Sequence, residues 1–129
     1  MRRINVIDRR SGFTLIWLSL CAGLSLLVLW LALMPASSAP SGLGWDKLNH
    51  AGAIGAITGL AYLSLKPRVW AAAAAFLYGT FLGILIEILQ GTLTTSRSAE
   101  WGDVVADLIG AGSVWTAIRI YQRITAPKR

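Results

Sequence analysis

The chain has 129 residues, 55% of them hydrophobic and 14% charged, with a mean hydropathy of +0.60 and a formal net charge of +6. Soluble domains carry about a quarter charged residues, so this composition excludes an ordinary soluble enzyme and predicts a single-domain, all-α integral membrane protein. The one cysteine, Cys21, has no intrachain partner. It reads as a small apolar residue inside a helix.

Four membrane spans are predicted in chain order. The first, Phe13 to Met34, holds 22 residues without a charge, enough to cross a hydrocarbon core of roughly 30 Å. A basic stretch precedes it, and "SSA" ending at Ala39 has the small residues of a cleavage site. The run exceeds the apolar core of a signal peptide, about 7–15 residues, and Pro40 would follow the cut, so a retained helix is expected. The second span, 46–65, opens on the polar turn "DKLNH" and ends at Lys66-Pro67-Arg68. The third, 69–91, has Glu87 as its one charge. The fourth, 101–122, carries Asp103 and Asp107 in its first turns and Arg119 at its far end. A four-transmembrane-helix bundle follows.

Ten of the twelve basic residues fall on one side of these spans: Arg2, Arg3, Arg9, Arg10, Lys66, Arg68, Arg119, Arg123, Lys128 and Arg129. Lys47 and Arg97 fall on the other. The positive-inside rule then places both termini in the cytoplasm. The asymmetry and contact with anionic headgroups account for the net charge, and no nucleic-acid partner is needed. Trp45 and Trp101 are expected at the outer interface and Trp70 at the inner one.

This topology collects polar groups at the outer end. Asp8 stays inside, but Asp46, Glu87, Glu100, Asp103 and Asp107 join Lys47, His50, Gln90 and Arg97 in one layer. Asp46 and His50 share a helix face at i, i+4, as do Asp103 and Asp107, while Glu87 and Gln90 are i, i+3. Gly79, Gly83 and Glu87 form a stripe that should point Glu87 into the bundle, because glycines at this spacing admit a neighbouring helix. Gly55 and Gly59 form a stripe nearly opposite His50, so the second helix should pack on two sides. Ala106, Gly110, Ser113 and Ala117 form a further small-residue face beside the aspartates. Five acids stand against two fixed cations and one histidine, so some acid must be protonated, hydrogen-bonded, hydrated or bound to a cation.

The chemistry open to this layer is limited. His50, Glu87 and Asp103 are candidates for general acid–base work, although His50 could equally be a donor holding Glu87 or Asp103. Arg97 could clamp a phosphate or carboxylate or cap the acidic cluster. Asp103 and Asp107 could hold a divalent cation through oxygens. With no second histidine and no cysteine nearby, a zinc site is not expected, and neither metal nor cofactor is assigned. Lys47 and Glu100 read as interfacial charges in solvent. A purely structural ion-pair network, locking helix register, is the alternative for the whole layer.

"DKLNH" opening one helix, "EILQ" closing the next, "SR" in the loop and "DVVADLIGA" opening the last resemble the VanZ-like family of small bacterial membrane proteins, over Trp45 to about Trp115. The resemblance implies a polar signature on Asp46, Lys47, His50, Glu87, Gln90, Arg97, Asp103, Asp107 and Gly110. Asp107 stands where many members have asparagine, Ile54 where an aromatic often follows the histidine, and "GTLTTS" lacks the usual Pro-Gly. The family is named for low-level resistance to the glycopeptide teicoplanin. It implies a multi-pass protein of the bacterial cytoplasmic membrane with an envelope role.

Three classes of function follow. A binding protein would recognise an envelope lipid, a peptidoglycan-related glycan precursor or a glycopeptide at the outer face. A small membrane hydrolase or transferase would use His50 and the acids to activate water, since Ser96 and Ser98 are loop serines without an assigned base. A transporter is disfavoured for a monomer because no polar path crosses the inner half; an oligomer evades that objection.

Overall fold

A computed structural model describes residues 6–35, 37–38 and 46–127, with side chains from Ser11 onward. Arg2, Arg3, Trp45, Lys128 and Arg129, and the side chains of Asp8, Arg9 and Arg10, lie outside what is described, so part of the charge and interface reading falls outside it too. Four helices follow one another: α1 (Val6–Leu33), α2 (Asp46–Leu65), α3 (Ala71–Leu93) and α4 (Trp101–Thr125), with no strand among the described residues.

Helix α2 occupies the expected range. Helix α1 starts seven residues before the apolar run, at Val6 rather than Phe13; charges end the lipid-compatible stretch without ending the helix. Helix α3 starts later than expected because the turn after Leu65 continues through Trp70, with the Ala71 amide donating to the Arg68 carbonyl at 3.0 Å. Helix α4 runs to Thr125 and stops where Ala126 turns extended, the conformation favoured before a proline.

Three helical segments are long and apolar enough to cross a membrane: Ser11–Leu33 within α1, Ala71–Leu93 and Trp101–Thr125. Large side chains along them, including Leu26, Trp30, Leu77, Phe81 and Ile109, are exposed, a belt compatible with contact with a lipid bilayer. Helix α2 has 20 residues, about 30 Å at 1.5 Å per residue. Its polar first turn lowers its hydropathy.

Helix α2 is the hub, packing on α1, α3 and α4. The core draws Cys21 and Ala32 from α1, Ile54, Ile57 and Ala61 from α2, Leu82 and Ile86 from α3, and Ala111 from α4. Buried hydroxyls return their hydrogens to their own helices: Ser25 to the Cys21 carbonyl, Thr58 to that of Ile54 and Ser64 to that of Ala61. Tyr78 of α3 donates to Ser25 Oγ at 3.0 Å, linking α3 to α1, whose main packing is on α2.

Small residues set the helix spacing. Gly79 faces Thr58 and Ile54, and Gly83 faces the Asp107 side chain, so the stripe below Glu87 packs as its spacing predicts. Gly55 and Gly59 face Val114 of α4, which puts α2 in contact on its second side. The small-residue face of α4 needs correction. Ala106 and Gly110 are buried, but Ser113 and Ala117 are exposed. The contact instead follows the i+4 row through the half-buried Val114, Ile118 and Gln122, and the Gln122 amide reaches the Tyr62 hydroxyl at 3.4 Å. Helices crossing at an angle follow such a row rather than a straight face.

The antiparallel order sends Lys66, Arg68, Arg119 and Arg123 to one end of the bundle and the polar layer to the other. Trp70, with the Arg68 guanidinium 5.5 Å from its ring centroid, marks the basic end, and the exposed Trp101 marks the polar end.

Candidate polar site at the bundle end

The site is built where α2 begins, α3 ends and α4 begins. Each of these helix ends contributes a face fixed by helical spacing, and the loop 94–100 closes over them. Glu87 and Gln90 point inward because they continue the glycine stripe of α3; both are buried. Asp103 and Asp107 point inward because they continue the Ala106–Gly110 face, and both are buried too. His50 is only 14% exposed at its side chain and stands between these two walls.

The imidazole is surrounded by carboxylates. Its Nδ1 lies 3.4 Å from Asp107 Oδ1 and 4.0 Å from Glu87 Oε1, and its Nε2 lies 3.9 Å from Asp103 Oδ2. Helix α2 thus delivers one base to acids of α3 and α4. Glu87 is fixed by its other oxygen, which accepts a hydrogen bond from the Glu100 amide at 2.9 Å. Lys47 donates to Asp103 Oδ1 at 2.9 Å and to Glu100 Oε2 at 3.3 Å. Lys47 and Glu100 reach solvent, as expected of interfacial charges, and are also ion-paired, because the start of α4 comes close enough to α2 for Lys47 to reach both Glu100 and Asp103.

Arg97 does not cap the acids. It makes no ion pair among the described residues, and its Nε is buried without a hydrogen-bond partner. Glu87 Oε1 and both carboxylate oxygens of Asp107 also lack a hydrogen-bond partner, and the 3.4 Å His50 contact is not a hydrogen bond. An unsatisfied buried polar group costs about 1–3 kcal/mol, and more when charged. Two of these four atoms, Glu87 Oε1 and Asp107 Oδ1, lie within 4.0 Å of His50 Nδ1.

Two cavities open beside these groups. One of about 320 Å³ is almost wholly polar and is bounded by Asp46, Ser96, Ser98, Glu100 and Asp103. The other, of about 460 Å³, has two kinds of wall. Asp46, Asn49, Asp107 and Arg97 line its polar side, and Val28, Leu31, Ala32, Leu48 and Ile86 its apolar side. His50, Gln90 and Arg97 border both cavities. Gln90 is held in place by donating to the Ala32 carbonyl at 3.0 Å.

The structure thus brings together all eight singled-out residues: Asp46, Lys47, His50, Glu87, Gln90, Arg97, Asp103 and Asp107. The sequence reading missed α1. Val28, Leu31 and Ala32 form its share of the apolar wall, yet α1 has no charge near this end and reads as a plain lipid-facing span. The one signal available was Cys21, Ser25 and Ala32, small residues at near-helical repeat among bulky ones. Neither a protein-family model, a curated protein nor a solved structure matches this chain.

Proposed function

We propose that the chain is a VanZ-like cell-envelope protein that crosses the bacterial cytoplasmic membrane with four helices, both termini inside. In this reading its outward polar end binds an envelope amphiphile: a lipid, a lipid-linked glycan precursor or a glycopeptide. The observation that carries the reading is the two-faced cavity of about 460 Å³. Its polar wall presents carboxylates, an imidazole, an amide and a guanidinium, groups that bind hydroxyls, amines and phosphates. Its apolar wall comes from α1, α2 and Ile86 of α3, so a hydrocarbon tail entering from the lipid would meet aliphatic side chains. The unpartnered Arg97 Nε and Asp107 oxygens argue for a ligand over a scaffold role.

The cavity can be plugged to test this. Gly52 lines it, and a Cβ built there meets nothing within 4 Å. Gly52→Phe should keep the fold and lower the amphiphile retained after purification in mild detergent by about tenfold, read by native mass spectrometry. Gly112→Phe, facing the separate groove beside Trp115, should retain it fully. Wild-type protein that retains no amphiphile, or Gly52→Phe that retains as much, refutes the binding role.

The proposed topology has its own test. Lys66, Arg68, Arg119 and Arg123 cluster opposite the polar end, which favours a cytoplasmic location for the basic end. A reporter active only outside the membrane should stay silent when fused to either terminus. Activity at either one overturns the orientation.

A further inference from the structure

We infer that His50, Glu87 and Asp107 form a binding site for a first-row divalent cation. A potential ligand atom from each, one imidazole nitrogen and two carboxylate oxygens, lies within 4.8 Å of the other two. The His50 Nδ1 separations, 3.4 Å to Asp107 Oδ1 and 4.0 Å to Glu87 Oε1, lie at or slightly above what a metal requires. Ligands about 2.1 Å from a tetrahedral ion sit about 3.4 Å apart, so closing onto the ion takes side-chain shifts under about 1 Å. From the sequence, a zinc site is not expected, for want of a second histidine or a nearby cysteine. The fold supplies two buried carboxylates from other helices instead.

Two observations beyond proximity point to a cation. First, Asp107 is only 2% exposed and Glu87 4%, yet both Asp107 oxygens and Glu87 Oε1 accept no hydrogen bond. Buried carboxylate oxygens lacking donors are suited to an ion that needs none. Second, the two ring nitrogens of the imidazole meet different carboxylates, Nε2 at 3.9 Å, beyond hydrogen-bond distance until the ring shifts. Nδ1 faces Glu87 and Asp107, and Nε2 faces Asp103, which is itself anchored by Lys47 at 2.9 Å. A ligating histidine commonly gives its other N–H to a carboxylate, which fixes ring orientation and raises basicity.

Charge agrees. A neutral imidazole, two carboxylates and a divalent ion sum to zero, whereas a proton on His50 leaves the trio at −1. The mixed nitrogen and oxygen donors suit Zn²⁺, Mn²⁺ or Co²⁺ better than Ca²⁺ or Mg²⁺, which prefer oxygen alone, or Cu⁺, which prefers sulfur. His50 and Asp107 border the larger cavity, and Glu87 is not among its lining residues. The open coordination position therefore faces that cavity, where it would take a water or ligand oxygen.

The inference stands apart from amphiphile binding, since the ion needs no lipid and the lipid can be assayed with chelator present. Wild-type protein in detergent, stripped with chelator, is titrated with Co²⁺ and Zn²⁺. Co²⁺ should produce a visible ligand-field band, bleached by one equivalent of Zn²⁺, and Zn²⁺ should raise the unfolding temperature by about 5 °C. Removing a group that only orients a ligand costs about 10–100-fold in affinity, so Asp107→Asn and Glu87→Gln, which lose a ligand charge, should each cost at least about 100-fold. Arg119→Gln, at the opposite end of the bundle, should bind as wild type, and Asp46→Asn, whose carboxylate belongs to a different grouping with His50 and Asp103, should lose far less than Asp107→Asn. Absence of a Co²⁺ band in the folded wild type, or unchanged affinity in Asp107→Asn, overturns the assignment. Loss confined to Asp46→Asn also overturns it.

Discussion

Gly110→Ala will cost the bundle about 3 kcal/mol or more, or prevent its accumulation, while Gly112→Ala on the same helix will be neutral or stabilising. A Cβ built on Gly110 lands on the backbone of Ala51, against its carbonyl oxygen, carbonyl carbon and Cα. Backbone cannot rotate away as a side chain can. Helix α2 would have to move as a body, and α2 also carries the contacts to α1 and α3. The strain therefore reaches every packed pair in the hub. Gly112 faces open space, with nothing within 4 Å of its built Cβ. There the added methyl only improves helix propensity, by up to about 1 kcal/mol. Gly55 is an intermediate case, its built Cβ 3.3 Å from the Gly110 carbonyl oxygen. Thermal unfolding in a single detergent should rank the alanine variants Gly112, Gly55, Gly110 from most to least stable. Gly110→Ala unfolding at the wild-type temperature would mean that α2 and α4 do not pack backbone to backbone.

This close approach shows which parts of the fold were legible in the sequence. Apolar run lengths marked four helices, and the polar turns marked which ends share a layer. The Gly79, Gly83 and Glu87 stripe was readable because a four-residue step stays on one face for two turns, and the structure buries all three. The reach of the α4 stripe was not readable. Ser113 and Ala117 look equivalent to Gly110 in spacing, but which face continues to pack depends on a crossing angle set by partner helices. The Lys47 pairing was hidden for a related reason. A lysine on the first turn of a helix looks solvent-bound until the distance to the next helix is known, and here Gly102 lets Lys47 lie close against α4. The wall built by Val28, Leu31 and Ala32 was the least legible. An aliphatic surface that faces a cavity and one that faces lipid have the same composition.

His50→Gln will destabilise the protein by about 3–5 kcal/mol when the trio is kept free of metal by chelator, and adding Asp107→Asn will recover most of the loss. The imidazole is the one basic side chain within 4.0 Å of Glu87 or Asp107 among the described residues. Lys47 is committed to Asp103 and Glu100, and Arg97 pairs with none of the acids. Without His50, two carboxylates with 4% and 2% exposure face each other across the space the ring filled. The carboxamide that replaces the ring offers one amide donor group, too little to offset two buried negative charges. Neutralising Asp107 in the same chain removes one of those charges and supplies an amide that can donate to Glu87 Oε1. The same reasoning makes Asp107→Asn alone neutral or stabilising in chelator, since it replaces a carboxylate with two unsatisfied oxygens. Functional groups are often held at such a cost to stability. The four proteins form a double-mutant cycle, and the coupling between residues 50 and 107 should exceed about 1 kcal/mol. Unfolding midpoints in detergent with chelator give that coupling directly. Additive effects would show that the histidine and the aspartate are held independently, and the charge-coupled trio would have to be given up.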